Sequence, residues 1–157
     1  MEKELQRGKY KFQSIRRVYI PKKKGSKEKR PLGVSSPRDK VVQKALTNAL
    51  QRVFEPTFLE NSHGYRPNRG CHSRLNQVQM QFGHSRWIIE SDIRKCYDTI
   101  SHDVLLKIIG KKISCPITLK LIESALKAGY FEEIGGHKIA NEVGTPQGSI
   151  LSPLLCN

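Results

Sequence analysis

The sequence predicts an α+β fold, an antiparallel sheet with packed helices, and three observations predict it. Short runs rich in β-branched and aromatic residues (14–20, 30–34 and 87–93) are bounded by Gly, Pro and Ser, as strands usually are. Longer stretches, above all 37–54, repeat apolar residues at helical spacing. The two kinds of segment are interspersed without strict strand–helix–strand alternation, which argues against a parallel βαβ sheet. A chain of 157 residues is long enough to bury one cooperative core, so length predicts one domain.

In chain order, Ser14-Ile-Arg-Arg-Val-Tyr-Ile20 and Arg30-Pro-Leu-Gly-Val34 read as the arms of a hairpin. Its tip, 21–29, is Pro-Lys-Lys-Lys-Gly-Ser-Lys-Glu-Lys, charged and turn-forming. Ser36-Pro37-Arg38-Asp39 fits a helix start, with Ser36 as cap and Pro37 at the first helical position. Val41, Val42, Ala45, Leu46, Ala49, Leu50, Val53 and Phe54 then recur in adjacent pairs every four residues, one helical face that Pro56 ends. Lys40, Lys44 and Arg52 fall on the opposite face. A turn-rich stretch over 61–70 leads to a second helix with Cys71, Leu75, Val78 and Phe82 facing inward and Gly83 at its end. Trp87-Ile-Ile-Glu-Ser-Asp-Ile93 reads as a strand. Ser101 caps a short helix that turns Val104, Leu105, Ile108 and Ile109 inward and stops at Gly110. A further helix, 116–129, buries Leu119, Ile122 and Leu126, and the last strands flank a turn at Gly135-Gly136.

The charge is unevenly spread. Of a formal net +14, residues 1–30 carry twelve Lys/Arg against three Asp/Glu. A fixed positive field of that kind selects a polyanion partner and makes its affinity salt-dependent. No apolar run approaches the ~18 residues of a membrane span. Cys71, Cys96, Cys115 and Cys156 lack metal-site spacing and read as reduced core thiols of a non-secreted protein. The five histidines are equally scattered, and the N-terminus carries no import signal.

Two runs carry chemistry. Glu90-Ser-Asp-Ile-Arg-Lys-Cys-Tyr-Asp98 sets a carboxylate, Asp92, at the end of an apolar strand and an aromatic, Tyr97, five residues later. Strand-borne carboxylates are the ligands a hard ion such as Mg²⁺ prefers, although an aspartate in this place is equally suited to capping a turn. Asp98, past the strand end, reads as structural. Gly144-Thr-Pro-Gln-Gly-Ser-Ile-Leu-Ser-Pro153 offers glycines that permit close backbone approach and, at Gln147, an amide that both donates and accepts.

Taken with the basic hairpin and Tyr65-Arg-Pro-Asn-Arg-Gly70, these four ordered motifs resemble the reverse transcriptases encoded by group II introns, over residues 14–157. The resemblance implies a right-hand polymerase: a basic tail over 1–13, fingers over 14–86 and part of a palm over 87–157. It implies metal ligation by the Asp92 side chain and the Ile93 backbone carbonyl, with Mg²⁺ as cofactor of the complete enzyme. Tyr97 would exclude a ribose 2′-hydroxyl, Gln147 would touch the incoming dNTP, and a tip lysine (Lys22 or Lys23) with Arg30 would clamp its triphosphate. Lys24, Lys27, Lys29, Lys40 and Lys44 would grip RNA, and Arg66 and Arg69 would serve either the template backbone or the fold. Ser149 departs from the second glycine that many relatives have there. The family's aromatic-Ala-Asp-Asp hairpin would lie beyond Asn157, so the expectation is a polymerase fragment, inactive alone, binding intron RNA or an RNA/DNA hybrid, with a second polypeptide able to supply the rest of the palm. The alternative is an RNA-binding splicing helper without catalysis. The Leu-Leu-Cys-Asn end after the glutamine motif resembles mitochondrial intron proteins, with a bacterial cytoplasm as the other setting.

Overall fold

The computed structural model describes residues 1–132, 136–146 and 148–157. A short helix α1 (Glu2–Gln6) precedes strands β1 (Ile15–Pro21) and β2 (Lys29–Val34), and then the long helix α2 (Pro37–Phe54). Helices α3 (Cys71–Phe82), α4 (Cys96–Thr99), α5 (His102–Gly110) and α6 (Pro116–Leu126) follow. Strands β3 (Tyr130–Glu132) and β4 (Lys138–Ile139) and a single helical turn, α7 (Ser152–Leu155), complete the order.

The strands form one sheet in the order β2-β1-β3-β4. The β1–β2 hairpin is antiparallel as expected, Val18 facing Leu32 and Ile20 facing Arg30. The sheet as a whole is mixed rather than antiparallel, because β1 runs parallel to β3, with Ile15 opposite Tyr130. Parallel neighbours require a long crossover, and here everything from β2 to α6 serves as one. β3 and β4 pair antiparallel, but the expected Gly135-Gly136 turn falls partly outside the described residues. Sheet and core both draw on residues from before and after 86–87.

The core is a cluster of Leu46 and Leu50 from α2, Leu105 and Ile109 from α5, Ile122, Ala125 and Leu126 from α6, and Leu151 and Leu154 at the C-terminal turn. Each paired apolar pattern settles on one phase. On α2 the buried residues are Asp39, Val42, Gln43, Leu46, Thr47 and Leu50, while Val41 and Val53 stay exposed. On α5 His102, Leu105 and Ile109 are buried, and Val104 and Ile108 are not. A helix resting on one neighbour covers a stripe, not half its circumference. Leu151 and Leu154 take space beside α2 and α5, so the C-terminal turn belongs to the core.

The N-terminal segment is joined to the start of α2. The buried Asp39 carboxylate accepts hydrogen bonds from the Tyr10 hydroxyl (2.8 Å), the Gln13 N–H (3.2 Å) and the Ser36 hydroxyl (2.8 Å), while Ser36 Oγ caps the Asp39 N–H (3.1 Å). A buried charge requires this kind of donor set. Burial, with the Asp39 hydrogen bond and charge behind it, pushes the Tyr10 hydroxyl up to about 12.

Two expected elements differ. Trp87-Ile-Ile-Glu-Ser-Asp-Ile93 forms no strand: Trp87 is 89% exposed, Ile89 94% and Ile93 71%. The residue types favour a strand, but β-propensity measures fit to a half-buried pleated surface, and neither edge of the four-stranded sheet pairs with this segment. Helix α3 forms, yet none of its residues is buried, and Leu75, Val78 and Phe82 face outward. Its polar edge makes the attachment instead, through His63 to Ser73 (2.8 Å) and Gln77 (2.7 Å). The cysteines are unpaired as expected, but Cys71 and Cys115 are exposed and Cys96 and Cys156 half-buried, so none is a core thiol.

Candidate functional site

The glycine loop over 144–152 is fixed by four separate parts of the chain. The Gly144 N–H donates to the Ile100 carbonyl and the Thr145 N–H to the Tyr97 carbonyl, each at 2.7 Å, which stitches the loop to the turn bearing the aromatic. The Gly144 carbonyl in turn accepts from His102 Nε2 (2.6 Å) and Asn141 Nδ2 (3.0 Å). From α2, the Gln43 side-chain carbonyl accepts from Ser149 Oγ (3.3 Å) and the Ile150 N–H (3.1 Å). The Ser152 hydroxyl closes the loop on the Pro146 carbonyl at 3.0 Å.

Two of the glycines are needed where they stand. At Gly144 (φ +84°) a Cβ would lie 2.7 Å from the carbonyl oxygens of Tyr97 and Asp98, and at Gly148 (φ +91°) it would lie 2.3 Å from the Gly33 carbonyl. Left-handed backbone combined with that contact excludes every other residue without rearrangement. The loop is thus seated against the base of the β1–β2 hairpin on one side and against α4 on the other. Ser149, the departure from the expected motif, is accounted for: its hydroxyl joins Gln43 and accepts the Leu151 N–H at 3.3 Å. Gln147 lies outside the described residues.

Hairpin, α4 and loop enclose a cleft of about 410 Å³, with Arg17 and Gly33 on one wall, Lys95 and Asp98 on another and Asn141 and Thr145 on a third. The Arg17 guanidinium lies 3.3 Å from the Tyr130 ring centroid, over its face, so a planar cation is held at the cleft wall. Tyr97 is half-buried, and burial raises its hydroxyl above the ordinary range, with neighbouring Cys156, Tyr65 and Cys96 adding to the effect. A phenol so placed is a neutral ring, suited to shape discrimination.

Arg17 and Lys95 apart, the basic residues expected to meet phosphates do not line this cleft. Lys22, Lys23, Lys24, Lys27, Lys29 and Arg30 are all exposed on the hairpin, and Lys40 and Lys44 are exposed on α2. Lys22 pairs with Glu28 at 2.7 Å, and that bond lowers the Glu28 carboxyl. Exposed pairs of this kind contribute little and exchange readily for a phosphate. Arg66 differs. Its side chain is 5% exposed, and its guanidinium donates to Glu55 (2.9 Å), the Leu59 carbonyl (2.6 Å) and the Ser62 carbonyl (2.8 Å). With its donors engaged in this way, it joins the end of α2 to the loop over 59–66, a structural arrangement. Arg69 donates to the Glu60 carbonyl and is half-buried.

Asp92 and Ile93 are separated from the rest. Both are exposed on the segment that forms no strand, and neither lines the cleft. Among the described residues no group of three His, Cys, Asp or Glu side chains is placed to hold a metal ion. The residues described here therefore do not fit a two-metal centre, which needs several convergent oxygen ligands. Sequence reasoning missed Gln43, His102 and Asn141, polar side chains that build the loop, and gave Ser149 no role in it. One signal was available for the first: Gln43 and Thr47 interrupt, four residues apart, the apolar face of α2.

Comparison with known proteins gives this arrangement its context. Residues 20–157 match the family model described as reverse transcriptase (RNA-dependent DNA polymerase). The group II intron-encoded protein LtrA of Lactococcus lactis subsp. cremoris is 46% identical over 153 residues, covering 98% of this chain and 25% of that protein. A putative COX1/OXI3 intron 1 protein of Saccharomyces cerevisiae is 44% identical over 158 residues, covering 100% of this chain and 18% of its own length. Among solved structures, a chain of a partial Cas6-RT-Cas1--Cas2 complex superposes with a TM-score of 0.62 at 26% identity, over 98% of this chain and 26% of that one. The chain thus spans about a quarter or less of these relatives. No helix among the described residues is long and apolar enough to cross a membrane. A glycine loop pinned to an aromatic turn beneath a basic hairpin, the four ordered motifs and the match over residues 20–157 agree, and the chain belongs to the reverse transcriptase family, with group II intron-encoded proteins among its relatives.

Proposed function

We propose that this chain is the fingers and part of the palm of an RNA-directed DNA polymerase of the group II intron type, and that its own contribution is to grip intron RNA and shape a nucleotide pocket. The observation that carries the reading is the pair of 2.7 Å backbone bonds joining Gly144 and Thr145 to the turn of Tyr97. They hold Gly144 and Thr145 against the turn whose ring would exclude a ribose 2′-hydroxyl, and Gln147, which would touch the nucleotide, follows two residues later in the sequence. Arg30 and Lys22 or Lys23, on a hairpin whose base is seated against the same loop, supply cations for a triphosphate, a forked contact from the arginine and point charges from the lysines. Lys24, Lys27, Lys29, Lys40, Lys44 and Arg69 supply the RNA surface, to which the overall charge of +14 adds a long-range field. Arg66 is assigned to the fold.

For the metal we propose a limited role here. Asp92, with the Ile93 carbonyl, would contribute to a Mg²⁺ site whose other ligands come from a longer or second polypeptide. The exposure of the basic hairpin also supports a second reading, a splicing helper that binds RNA. Similarity to a COX1/OXI3 intron protein supports a mitochondrial setting, and similarity to LtrA supports a bacterial cytoplasm.

The test is RNA affinity against salt. Neutralising phosphates releases counterions, so log affinity falls linearly with log salt. Replacing Lys22, Lys23, Lys24, Lys27 and Lys29 together by Ser should flatten the slope by about one unit for each phosphate that is no longer neutralised. An unchanged slope would place the RNA elsewhere.

A further inference from the structure

We propose that His102, together with Asn141, is a positioning residue that locks the glycine loop to the Tyr97 turn. This deepens the nucleotide-pocket reading and rests on it. His102 is the first residue of α5 and is 4% exposed. Its Nε2 lies 2.6 Å from the Gly144 carbonyl oxygen, which can only accept, so Nε2 carries the proton. Its Nδ1 is buried and has no hydrogen-bond partner among the described residues. A position needing only volume would be better filled by Leu or Phe, neither of which strands a polar atom. What the imidazole supplies instead is its donor to the loop.

Asn141 completes the device. Its Nδ2 donates both to the Gly144 carbonyl and to the Leu126 carbonyl at the end of α6, at 3.0 and 2.8 Å. The Gly144 carbonyl therefore accepts two donors, while the Gly144 N–H is held by Ile100. With both polar atoms of one glycine fixed, and Thr145 bonded to the Tyr97 carbonyl, the loop has a single register relative to the ring. The start of α5 and the end of α6 impose that register, so His102 and Asn141 set how Gly144 and Thr145 sit against the Tyr97 turn.

Long-range ¹H–¹⁵N NMR on the intact chain tests the assignment first. An Nε2–H tautomer at His102 is expected, and an Nδ1–H tautomer overturns the proposal. Amide exchange on variants tests it again. His102→Gln keeps a donor near the Nε2 position, whereas His102→Asn does not reach it. Exchange at Gly144 and Thr145 should rise about tenfold in His102→Asn and in Asn141→Ala, stay near wild type in His102→Gln, and be unchanged in α6 throughout. Equal effects of Gln and Asn, or acceleration spread over the whole core, would reduce His102 to packing and overturn the proposal. Should His102→Asn fail to fold, Asn141→Ala and the tautomer decide it. Binding of dTTP, followed at the Tyr97 ring, should weaken about fivefold in His102→Asn and not in His102→Gln, of the size expected when one hydrogen bond is removed. Failure of the wild-type chain to bind dTTP with the exchange pattern intact would refute the nucleotide reading and leave the lock standing.

Discussion

Replacing Leu151 by Ala should unfold this protein far more readily than replacing Ile89 by Ala, although a reading by residue type expects the reverse. Leu151 is 1% exposed and packs in the cluster that includes Leu46, Leu50 and Leu105, whereas Ile89 is 94% exposed. A fully buried Leu→Ala change costs about 2–5 kcal/mol, the transfer of the deleted carbons plus the cavity left behind. Taking about 3 kcal/mol and an unfolding entropy near 0.33 kcal/mol/K for 157 residues, the midpoint should fall by about 9 °C. Against a total stability of ~5–15 kcal/mol that is a large fraction of the margin. Ile89→Ala should change stability by less than ~0.5 kcal/mol. Thermal and urea unfolding followed by circular dichroism measure both, and the urea slope should be unchanged in each variant. A loss at Ile89 equal to that at Leu151 would mean that 87–93 is paired and buried after all, and the account of sheet and core would fail.

Gly148→Ala should cost at least ~2 kcal/mol more than Gly25→Ala. Both residues have positive φ, but only at Gly148 would a Cβ strike backbone, the Gly33 carbonyl, while nothing lies within 4 Å at Gly25. Comparable losses in urea titrations would show that the loop is not seated on β2. Tyr10 gives a pH signature. Its pKa is raised in the folded state to about 12 from an ordinary 10, so its stabilisation is fully present below pH 10 and is lost as pH rises through 12. The stability difference between wild type and Tyr10→Phe should shrink by up to about 3 kcal/mol across that window, and a constant difference would contradict burial of the hydroxyl. Purified chain with Mg²⁺ should show no primer extension. Robust extension abolished by Asp92→Ala would refute the isolation of that carboxylate.

What could be read from the sequence was what local chemistry decides. The Ser36 cap with Pro37 behind it and the end of α2 at Phe54 depend on neighbours within four residues, the arms of the basic hairpin on the turn-forming tip between them, and each formed where expected. The phase of the amphipathic helices could not be read the same way. Val41-Val42, Ala45-Leu46 and Ala49-Leu50 mark one broad face without fixing its centre, and the choice came from what packs opposite. Trp87-Ile-Ile carries every local sign of a strand, yet strand formation is decided by a partner that local sequence does not encode. The candidate site divides likewise. Tyr97 and the glycines announced themselves by spacing, while Gln43, His102 and Asn141 act on the loop from as far as 107 residues away and looked like ordinary helix and turn residues.

The parallel pairing of Ile15 with Tyr130 also bears on how the chain is made. With β3 following β1 by more than a hundred residues, synthesis at ~5–20 residues per second leaves one edge of the hairpin unpaired for on the order of ten seconds. An open strand edge is a template for the wrong partner, and Lys and Pro on such edges discourage it. The hairpin waits with Arg16 and Arg17 on β1, Lys29, Arg30 and Pro31 on β2, and four lysines at its tip. The same charges that suit the folded protein to a polyanion would keep nascent chains apart, and neutralising them should lower soluble yield before it alters the stability of the molecules that fold.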